Sequence, residues 1–232
     1  MSRSRPGGGD SCPPDTPAAV PDPPVGLQQL FPAAAVPSVL RYAHLLAGPG
    51  VEHGLLGPRE IPRLWDRHIL SSAVLIRALA DRPGEPLVAD VGSGAGLPGI
   101  PMALADPRLR IVLLEPVERR AAFLTALVDD LGLSARVQVD PVRAEQAPRL
   151  RGTFDVVTAR AVAPLPKLLG WVAPLIGPSG RLVLVKGARV AAELLEAGPV
   201  IRRMHLSAGE VLVLGEDVLT APTTVVCFHR QR

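Results

Sequence analysis

From residue 87 onward, short runs of aliphatic and β-branched residues alternate with longer segments of helical periodicity. Alternation of this kind indicates right-handed β-α-β units, in which parallel strands form one sheet and helices cover it. The runs that indicate strands span residues 87–91, 110–114, 136–139, 154–158 and 181–186. A helix between the second and third strands is predicted by an apolar stripe at steps of three and four: Val117, Ala121, Leu124, Val128 and Leu131.

The last part of the chain departs from this alternation. After a predicted helix near residues 189–204, the runs 210–214 and 223–229 are close enough in sequence to form an antiparallel hairpin at the sheet edge. The sequence therefore predicts an α/β fold around a mostly parallel sheet of seven strands with an antiparallel hairpin at one edge.

The sequence before residue 83 shows a different pattern of apolar residues. Helical spacing of apolar residues in 36–47 and 59–79, with Gly-Pro breaks between them, predicts a small helical cap. Residues 1–26 are rich in proline and glycine and show no apolar periodicity, which predicts a disordered tail. The expected organisation is a tail at 1–26, a helical cap at 27–82 and one α/β domain at 83–232.

The composition is that of a folded chain, with 47% hydrophobic and 20% charged residues among 232. No apolar run approaches the ~20 residues that cross a bilayer, and the first residues lack the apolar stretch of a secretory signal, so we expect a cytoplasmic protein. Cys12 and Cys227 cannot make a disulfide framework, and we expect no metal cofactor. Nearly all basic residues are arginines, which bind phosphate well, so the net charge of +3 permits an RNA partner without requiring one.

A glycine-rich segment from Asp90 to Pro101 directly follows the first predicted strand and opens a helix. Glycines at such a turn let the backbone approach a ligand closely and adopt φ values that other residues avoid. Glu115 ends the second predicted strand, where a carboxylate can accept hydrogen bonds from both hydroxyls of a ribose. This combination resembles the cofactor site of class I S-adenosylmethionine-dependent methyltransferases.

Two other interpretations of this segment stay open. Gly94, Gly96 and Gly99 also match the G-x-G-x-x-G fingerprint of dinucleotide sites, which would indicate an NAD(P)-dependent oxidoreductase. Against that, Gly92 already occupies the first position after the strand, and the lone tyrosine, Tyr42, lies in the predicted cap, so no hydride-transfer apparatus is evident. An RNA-binding protein that transfers no group is the other alternative.

The segment after the fourth strand indicates which type of atom a methyltransferase of this kind would methylate. Residues 154–164 contain neither the Asn- or Asp-Pro-Pro-aromatic motif of exocyclic amine methylation nor the cysteine nucleophile of pyrimidine carbon methylation. A ring nitrogen such as guanine N7 carries an unprotonated lone pair at neutral pH, so in-line attack on a sulfonium methyl group needs positioning and no general base. The absence of an obvious base therefore favours N7.

Several stretches together resemble one family, the ribosomal RNA small subunit methyltransferase G family, also called glucose-inhibited division protein B. They occur in family order from about Val36 to the C-terminus: Arg67-His68-Ile69-Leu70, Asp90 through Pro101, Leu113-Leu114-Glu115 with Arg120, Phe123 and Leu124, Arg143-Ala144-Glu145, Ala159-Arg160-Ala161-Val162-Ala163, and Lys186-Gly187. The resemblance implies a Rossmann-like class I methyltransferase fold, S-adenosylmethionine as methyl donor, and a guanine N7 in the decoding-centre loop of 16S rRNA as target. It leaves open the oligomeric state and whether free rRNA or the assembled small subunit is methylated.

The resemblance also implies roles for individual residues. The cofactor would be held by Gly92, Gly94, Gly96, Leu97, Glu115, Ala144, Glu145 and Arg160. Arg160 and Lys186 would serve as catalytic residues. Arg67, His68 and Lys186 would contact the RNA. For Arg160, contact with the cofactor, the base or a phosphate stays open.

Purely structural roles stay open for some of these residues. Arg160 could be a structural ion-pair partner, and His68 could be a hydrogen-bonded packing residue. Trp65 and Trp171 are expected in the core. Ser71 stands where the family commonly has Asp or Asn, which puts the details of RNA docking in question.

Overall fold

The computed structural model describes residues 20–231, and one seven-stranded sheet forms its centre. The strands are β1 (Leu87–Val91), β2 (Arg110–Leu114), β3 (Val137–Asp140), β4 (Phe154–Arg160), β5 (Ile176–Lys186), β6 (Glu210–Leu214) and β7 (Thr223–His229). Their order is β3-β2-β1-β4-β5-β7-β6, with β1 to β5 parallel and β7 antiparallel to both of its neighbours. This confirms the expected mostly parallel sheet with an antiparallel edge hairpin.

Helices cover both faces of the sheet. They are α1 (Val36–Ala47), α2 (Pro49–Glu52), α3 (Ser71–Ala73), α4 (Gly99–Ala105), α5 (Glu118–Asp130), α6 (Leu165–Val172) and α7 (Val190–Arg203). Short 3-10 turns occur at Leu27–Gln29, Ala33–Ala35, Pro58–Arg63, Val74–Leu79, Ala144–Gln146, Pro148–Leu150 and Ala173–Leu175, and one π-helical segment spans Leu64–Leu70.

Alternate residues of each central strand face opposite layers. Val88 in β1 packs with the cap, α4 and α5, whereas its neighbour Ala89 packs with α6 and α7. A parallel strand that is buried on both faces needs a continuous apolar run, because side chains on either side meet a core. This explains why β1 is apolar except for Asp90, and why the buried middle of β4 is Val156 and Val157.

Three of the expected strands have different bounds in the structure. β3 is shifted by one residue to Val137–Asp140, β4 continues to Arg160, and β5 begins at Ile176 in place of the expected residue 181. Gly180 accounts for the difference in β5, because a Cβ there would lie 2.8 Å from the carbonyl oxygen of Phe154. Only glycine allows the two strands to pair this closely. In α5 the predicted stripe is buried except for Val117, which precedes the helix and is 40% exposed.

The prediction of helical structure over 59–79 is correct, but the expected regular helix is interrupted. The segment is 3-10 over Pro58–Arg63, π over Leu64–Leu70, α over Ser71–Ala73 and 3-10 again to Leu79. Pro62 contributes because it has no N–H for a helical hydrogen bond. The carbonyl oxygen of Arg67 instead accepts a hydrogen bond from the Ser71 hydroxyl at 2.5 Å. The irregular segment therefore offers main-chain acceptors to side chains.

Residues 1–19 of the predicted tail lie outside the described residues. Residues 20–26 lie against the cap, where the indole N–H of Trp65 donates to the carbonyl oxygen of Pro21 at 2.8 Å and Val20 packs on the core. Within 20–231 no helix is both long and apolar enough to span a membrane. The same range holds no group of three or more His, Cys, Asp or Glu side chains that could bind a metal ion.

Candidate active site

The glycine-rich segment forms the loop between β1 and α4, at the carboxyl edge of the sheet. Gly92, Gly94 and Gly96 have φ values of 73°, 56° and 90°, a region that other residues rarely adopt. A Cβ at Gly96 would lie 2.7 Å from Cγ1 of Ile100, so packing also requires glycine there. A Cβ at Gly94 would meet nothing nearer than 3.9 Å, so Gly94 faces open space at this edge.

Glu115 follows β2 and reaches this loop, as expected from the sequence. Its carboxylate accepts hydrogen bonds from the main-chain N–H groups of Gly94 at 2.9 Å and Val117 at 3.0 Å. The side chain is 3% exposed. Because a carboxylate offers about four lone-pair positions, Glu115 can fix the loop and still accept from hydroxyl groups.

Asp90 lies beneath the loop and is fully buried. One carboxylate oxygen accepts from the N–H of Gly99 at 3.0 Å, and the other has no hydrogen-bond partner among the described residues. Burial raises the pKa of Asp90 to about 7, although the bond from Gly99 opposes the shift. A Cβ at Gly99 would lie 2.4 Å from Cδ2 of Leu113, so α4 begins in direct contact with the sheet.

A cavity of about 220 Å³ lies beside the loop, at the ends of β1, β2 and β3. It brings together Gly92, Ala144 and Glu145, three of the residues predicted to hold the cofactor. Its other walls are largely apolar and include Trp171, which the sequence had indicated for the core. Leu97 is half-buried and packs on the main core, away from this cavity.

A larger cavity of about 760 Å³ lies between the cap, the ends of β4 and β5, and the loop between β6 and β7. Its basic lining residues are Arg63, Arg67, Arg160 and Lys186. Sequence reasoning missed Arg63, although its spacing of four from Arg67 is the separation that places two residues on one helical face. The two cavities lie at the same edge of the sheet, one on either side of the β1 and β4 ends.

Arg160 ends β4 and binds the irregular segment of the cap. One guanidinium nitrogen lies 3.0 Å from the Ser71 hydroxyl, 2.9 Å from the Ser72 hydroxyl and 3.3 Å from the carbonyl oxygen of His68. The other donates to the carbonyl oxygen of Arg67. Burial lowers the pKa of the Arg160 guanidinium from its usual value, but arginine stays charged at neutral pH. Arg160 therefore joins the cap to the sheet while it lines the larger cavity.

His68 and Arg67 are adjacent in sequence but differ in exposure. Nε2 of His68 lies 2.8 Å from a carboxylate oxygen of Glu60, and Nδ1 lies 3.4 Å from an Arg160 nitrogen. Burial lowers the pKa of His68, although Glu60 opposes the shift, so the imidazole is neutral at pH 7 with its proton on Nε2. His68 is 8% exposed, whereas Arg67 is exposed and lines the cavity.

Lys186 ends β5 on the wall of the larger cavity. Its ammonium lies 2.7 Å from a carboxylate oxygen of Glu193 in α7 and 3.4 Å from the carbonyl oxygen of Ala163. The side chain is 7% exposed, so the charge is largely enclosed. The same Glu193 oxygen accepts from the N–H of Leu165 at 2.8 Å. Lys186 thus ties β5 to α6 and α7, and a role in catalysis or RNA contact stays a prediction.

Comparison with known proteins finds a family and a fold. The family model of rRNA small subunit methyltransferase G matches residues 36–215. A Nocardioides protein named ribosomal RNA small subunit methyltransferase G is 52% identical over 188 residues, covering 80% of this chain and 72% of that protein. A protein of the same name from Kineococcus radiotolerans is 46% identical over 230 residues, covering 94% of this chain and 87% of its own length.

Solved structures share the fold at low sequence identity. A protein of Agrobacterium tumefaciens described as a predicted O-methyltransferase is 18% identical with a TM-score of 0.56, covering 72% of this chain and 81% of its own. A tRNA methyltransferase of Aquifex aeolicus is 15% identical with a TM-score of 0.54, covering 69% of each chain. The expected Rossmann-like methyltransferase fold is therefore confirmed.

Proposed function

The chain belongs to the rRNA small subunit methyltransferase G family, and we propose that it transfers a methyl group from S-adenosylmethionine to N7 of a guanine in the decoding-centre loop of 16S rRNA. The observation that carries the proposal is the family match over residues 36–215, which spans the loop, the smaller cavity, most of the cap and the lining of the larger cavity except residues 220–224. An oxidoreductase is not favoured, because the matched family consists of methyltransferases. An rRNA substrate also accords with a cytoplasmic location.

The residues beside the glycine loop fit S-adenosylmethionine. The smaller cavity has apolar walls that suit a nucleobase, with Ala144 and Glu145 on one side and Trp171 on another. Glu115, which accepts from the N–H of Gly94, would also accept from the ribose hydroxyls, and the open space at Gly94 would receive the amino-acid end. When bound, S-adenosylmethionine supplies an activated methyl group on its sulfur.

The larger cavity has the charge that an RNA substrate needs. Arg63 and Arg67 are exposed at its mouth, where they can bind phosphate oxygens. The guanidinium of Arg160 and the cap turn that it binds form the wall nearest the β4 end. Such a wall can hold a guanine edge or a phosphate in one orientation. At this cavity the protein would bind and orient the RNA and exclude water.

Proton transfer is not part of the proposed reaction. Guanine N7 has a lone pair and no proton at neutral pH, so the residues around it need only position it. Asp66 contributes a carboxylate to the larger cavity, but one oxygen accepts from the N–H of Thr220 at 3.0 Å and the other from its hydroxyl. His68 donates to Glu60. These contacts support a site that positions the base without deprotonating it.

The proposal is tested by following the methyl group into RNA. The purified protein would be given S-adenosylmethionine with a deuterated methyl group and either free 16S rRNA or assembled small subunits. The labelled RNA would be analysed by mass spectrometry, as nucleosides to identify the modified base and as oligonucleotides to locate it. We expect deuterated 7-methylguanosine at one position from at least one of the two substrates. Label in a different nucleoside would contradict N7 as the target, and no label from either substrate would contradict the transfer.

A further inference from the structure

Tyr42 connects the cap to the cofactor loop. It lies on α1, its side chain is fully buried, and its hydroxyl donates to the carbonyl oxygen of Ala95 at 2.9 Å. Ala95 stands between Gly94 and Gly96, both of which have positive φ. The cap therefore reaches the middle of the loop through one directed hydrogen bond.

The contact fixes a peptide group that the sheet does not fix. Glu115 accepts from the N–H of Gly94 and so holds the peptide between residues 93 and 94. Tyr42 binds the carbonyl oxygen of the peptide group between Ala95 and Gly96. The N–H of the same peptide group donates to the carbonyl oxygen of Ser93 at 2.7 Å. With glycine at three positions, the loop has unusual backbone freedom, so each of these anchors restricts how the loop is presented.

The surroundings keep the Tyr42 hydroxyl a donor. Burial raises the pKa of Tyr42 well above its usual value, and the nearby carboxylate of Asp90 adds to the shift, while the guanidinium of Arg160 opposes it. The hydroxyl is therefore protonated throughout the neutral range. Among residues 20–231, the carbonyl oxygen of Ala95 is the acceptor that the hydroxyl binds.

We propose that Tyr42 is a positioning residue for the cofactor, because its hydroxyl holds the Ala95–Gly96 peptide in the orientation that leaves Gly94 facing the cofactor edge. The cap is then part of the cofactor site as well as a wall of the RNA cavity. This inference rests on the proposed use of S-adenosylmethionine. It assigns to the cap a function that neither the glycine motif nor the basic cavity implies.

Tyr42→Phe is the direct test, because it keeps the ring and removes only the hydroxyl. We expect the Kd for S-adenosylmethionine, measured by calorimetry, to rise about tenfold, as the buried Ala95 carbonyl loses its partner. The KM for the cofactor should rise by a similar factor. The KM for rRNA and kcat at saturating cofactor should stay within about twofold of the wild type.

Thr158→Val is the matched control. Thr158 is also fully buried, but its hydroxyl donates to the carbonyl oxygen of Val183 in the neighbouring strand, at 2.8 Å, and not to a peptide of the loop. Both variants should melt somewhat below the wild type, but only Tyr42→Phe should lose cofactor affinity. Wild-type affinity in Tyr42→Phe, or an equal loss in both variants, would overturn the inference. A wild-type protein that binds no S-adenosylmethionine would overturn the proposed function and this inference with it.

Discussion

Replacing Arg160 with alanine removes the main polar connection between β4 and the cap. The variant leaves five acceptors without their guanidinium partner: the hydroxyls of Ser71 and Ser72, the carbonyl oxygens of Arg67 and His68, and Nδ1 of His68. A hydrogen bond to a charged group contributes about 1.5–3 kcal/mol, but these bonds share one donor group and water from the cavity can replace some of them. We therefore expect a loss of about 3 kcal/mol in the free energy of unfolding.

For a domain of this size, that loss corresponds to a drop of about 6–12 °C in the melting temperature. Differential scanning calorimetry would measure it. Methyl transfer, assayed well below the melting temperature of the variant, should fall at least ~100-fold, which is about 2.7 kcal/mol of transition-state stabilisation. Arg160→Lys should recover only part of both losses, because an ammonium keeps the charge but loses the planar fork of donors.

Arg41→Ala provides the matched control for Arg160. Arg41 also joins the cap to the α/β domain, through two hydrogen bonds to the carboxylate of Asp130 at 2.8 and 3.1 Å, but its side chain is 56% exposed. Solvent screens an exposed ion pair of this kind, so stability and transfer should stay near wild type. If Arg160→Ala melts like the wild type, the reasoning about the connection is refuted. If it melts lower but transfers normally, Arg160 only joins the cap to the sheet.

Three further substitutions probe the cofactor loop. Gly94→Asp should abolish S-adenosylmethionine binding in calorimetry, because its side chain and negative charge would occupy the space proposed for the amino-acid end of the cofactor. Circular dichroism should stay native, because that space is open and aspartate tolerates a φ of 56° better than most residues; unchanged affinity would rule out this loop as the site. Gly96→Ala should instead lower the melting temperature, because its Cβ would lie 2.7 Å from Ile100 at a φ of 90°; a wild-type melting curve would contradict this. Asp90 has a pKa raised to about 7 by burial, above its value in the unfolded chain, so its ionisation lowers stability as pH rises from about 4 to about 7. Asp90→Asn should remove that decline in urea unfolding between pH 5 and pH 8, and an unchanged slope would contradict it.

The strands were predictable because each is a short apolar run between glycine, proline or charged residues. β1, β2, β6 and β7 have the expected bounds. β5 was too short in the prediction, since Gly177 and Gly180 indicate a turn in sequence but allow close strand pairing in the structure. The prediction of a regular helix over 59–79 was wrong for a similar reason. The spacing of apolar residues does not show that Pro62, and the hydrogen bond from the Ser71 hydroxyl to a main-chain carbonyl oxygen, alter the helix type.

The surroundings of the glycine-rich loop were predictable to a greater extent than those of the larger cavity. Carboxyl ends of parallel strands meet at one edge, so Gly92, Glu115 and Ala144 were expected at that edge. Gly92 and Ala144 line the smaller cavity and Glu115 binds Gly94 of the same loop, while their contact with the cofactor stays a prediction. Ser71, which binds Arg160, lies in the cap 89 residues earlier in the chain, so no local pattern encodes this contact. The same holds for the contact of Tyr42 with Ala95.

A crystal structure with bound S-adenosylhomocysteine tests the central claim most directly, since it locates the cofactor relative to both cavities. The adenine should occupy the cavity lined by Ala144 and Glu145, with the ribose hydroxyls on Glu115. The sulfur should then face the cavity lined by Arg160 and Lys186, where the guanine would be held. A ligand bound elsewhere, or a sulfur directed away from the basic cavity, would contradict the account.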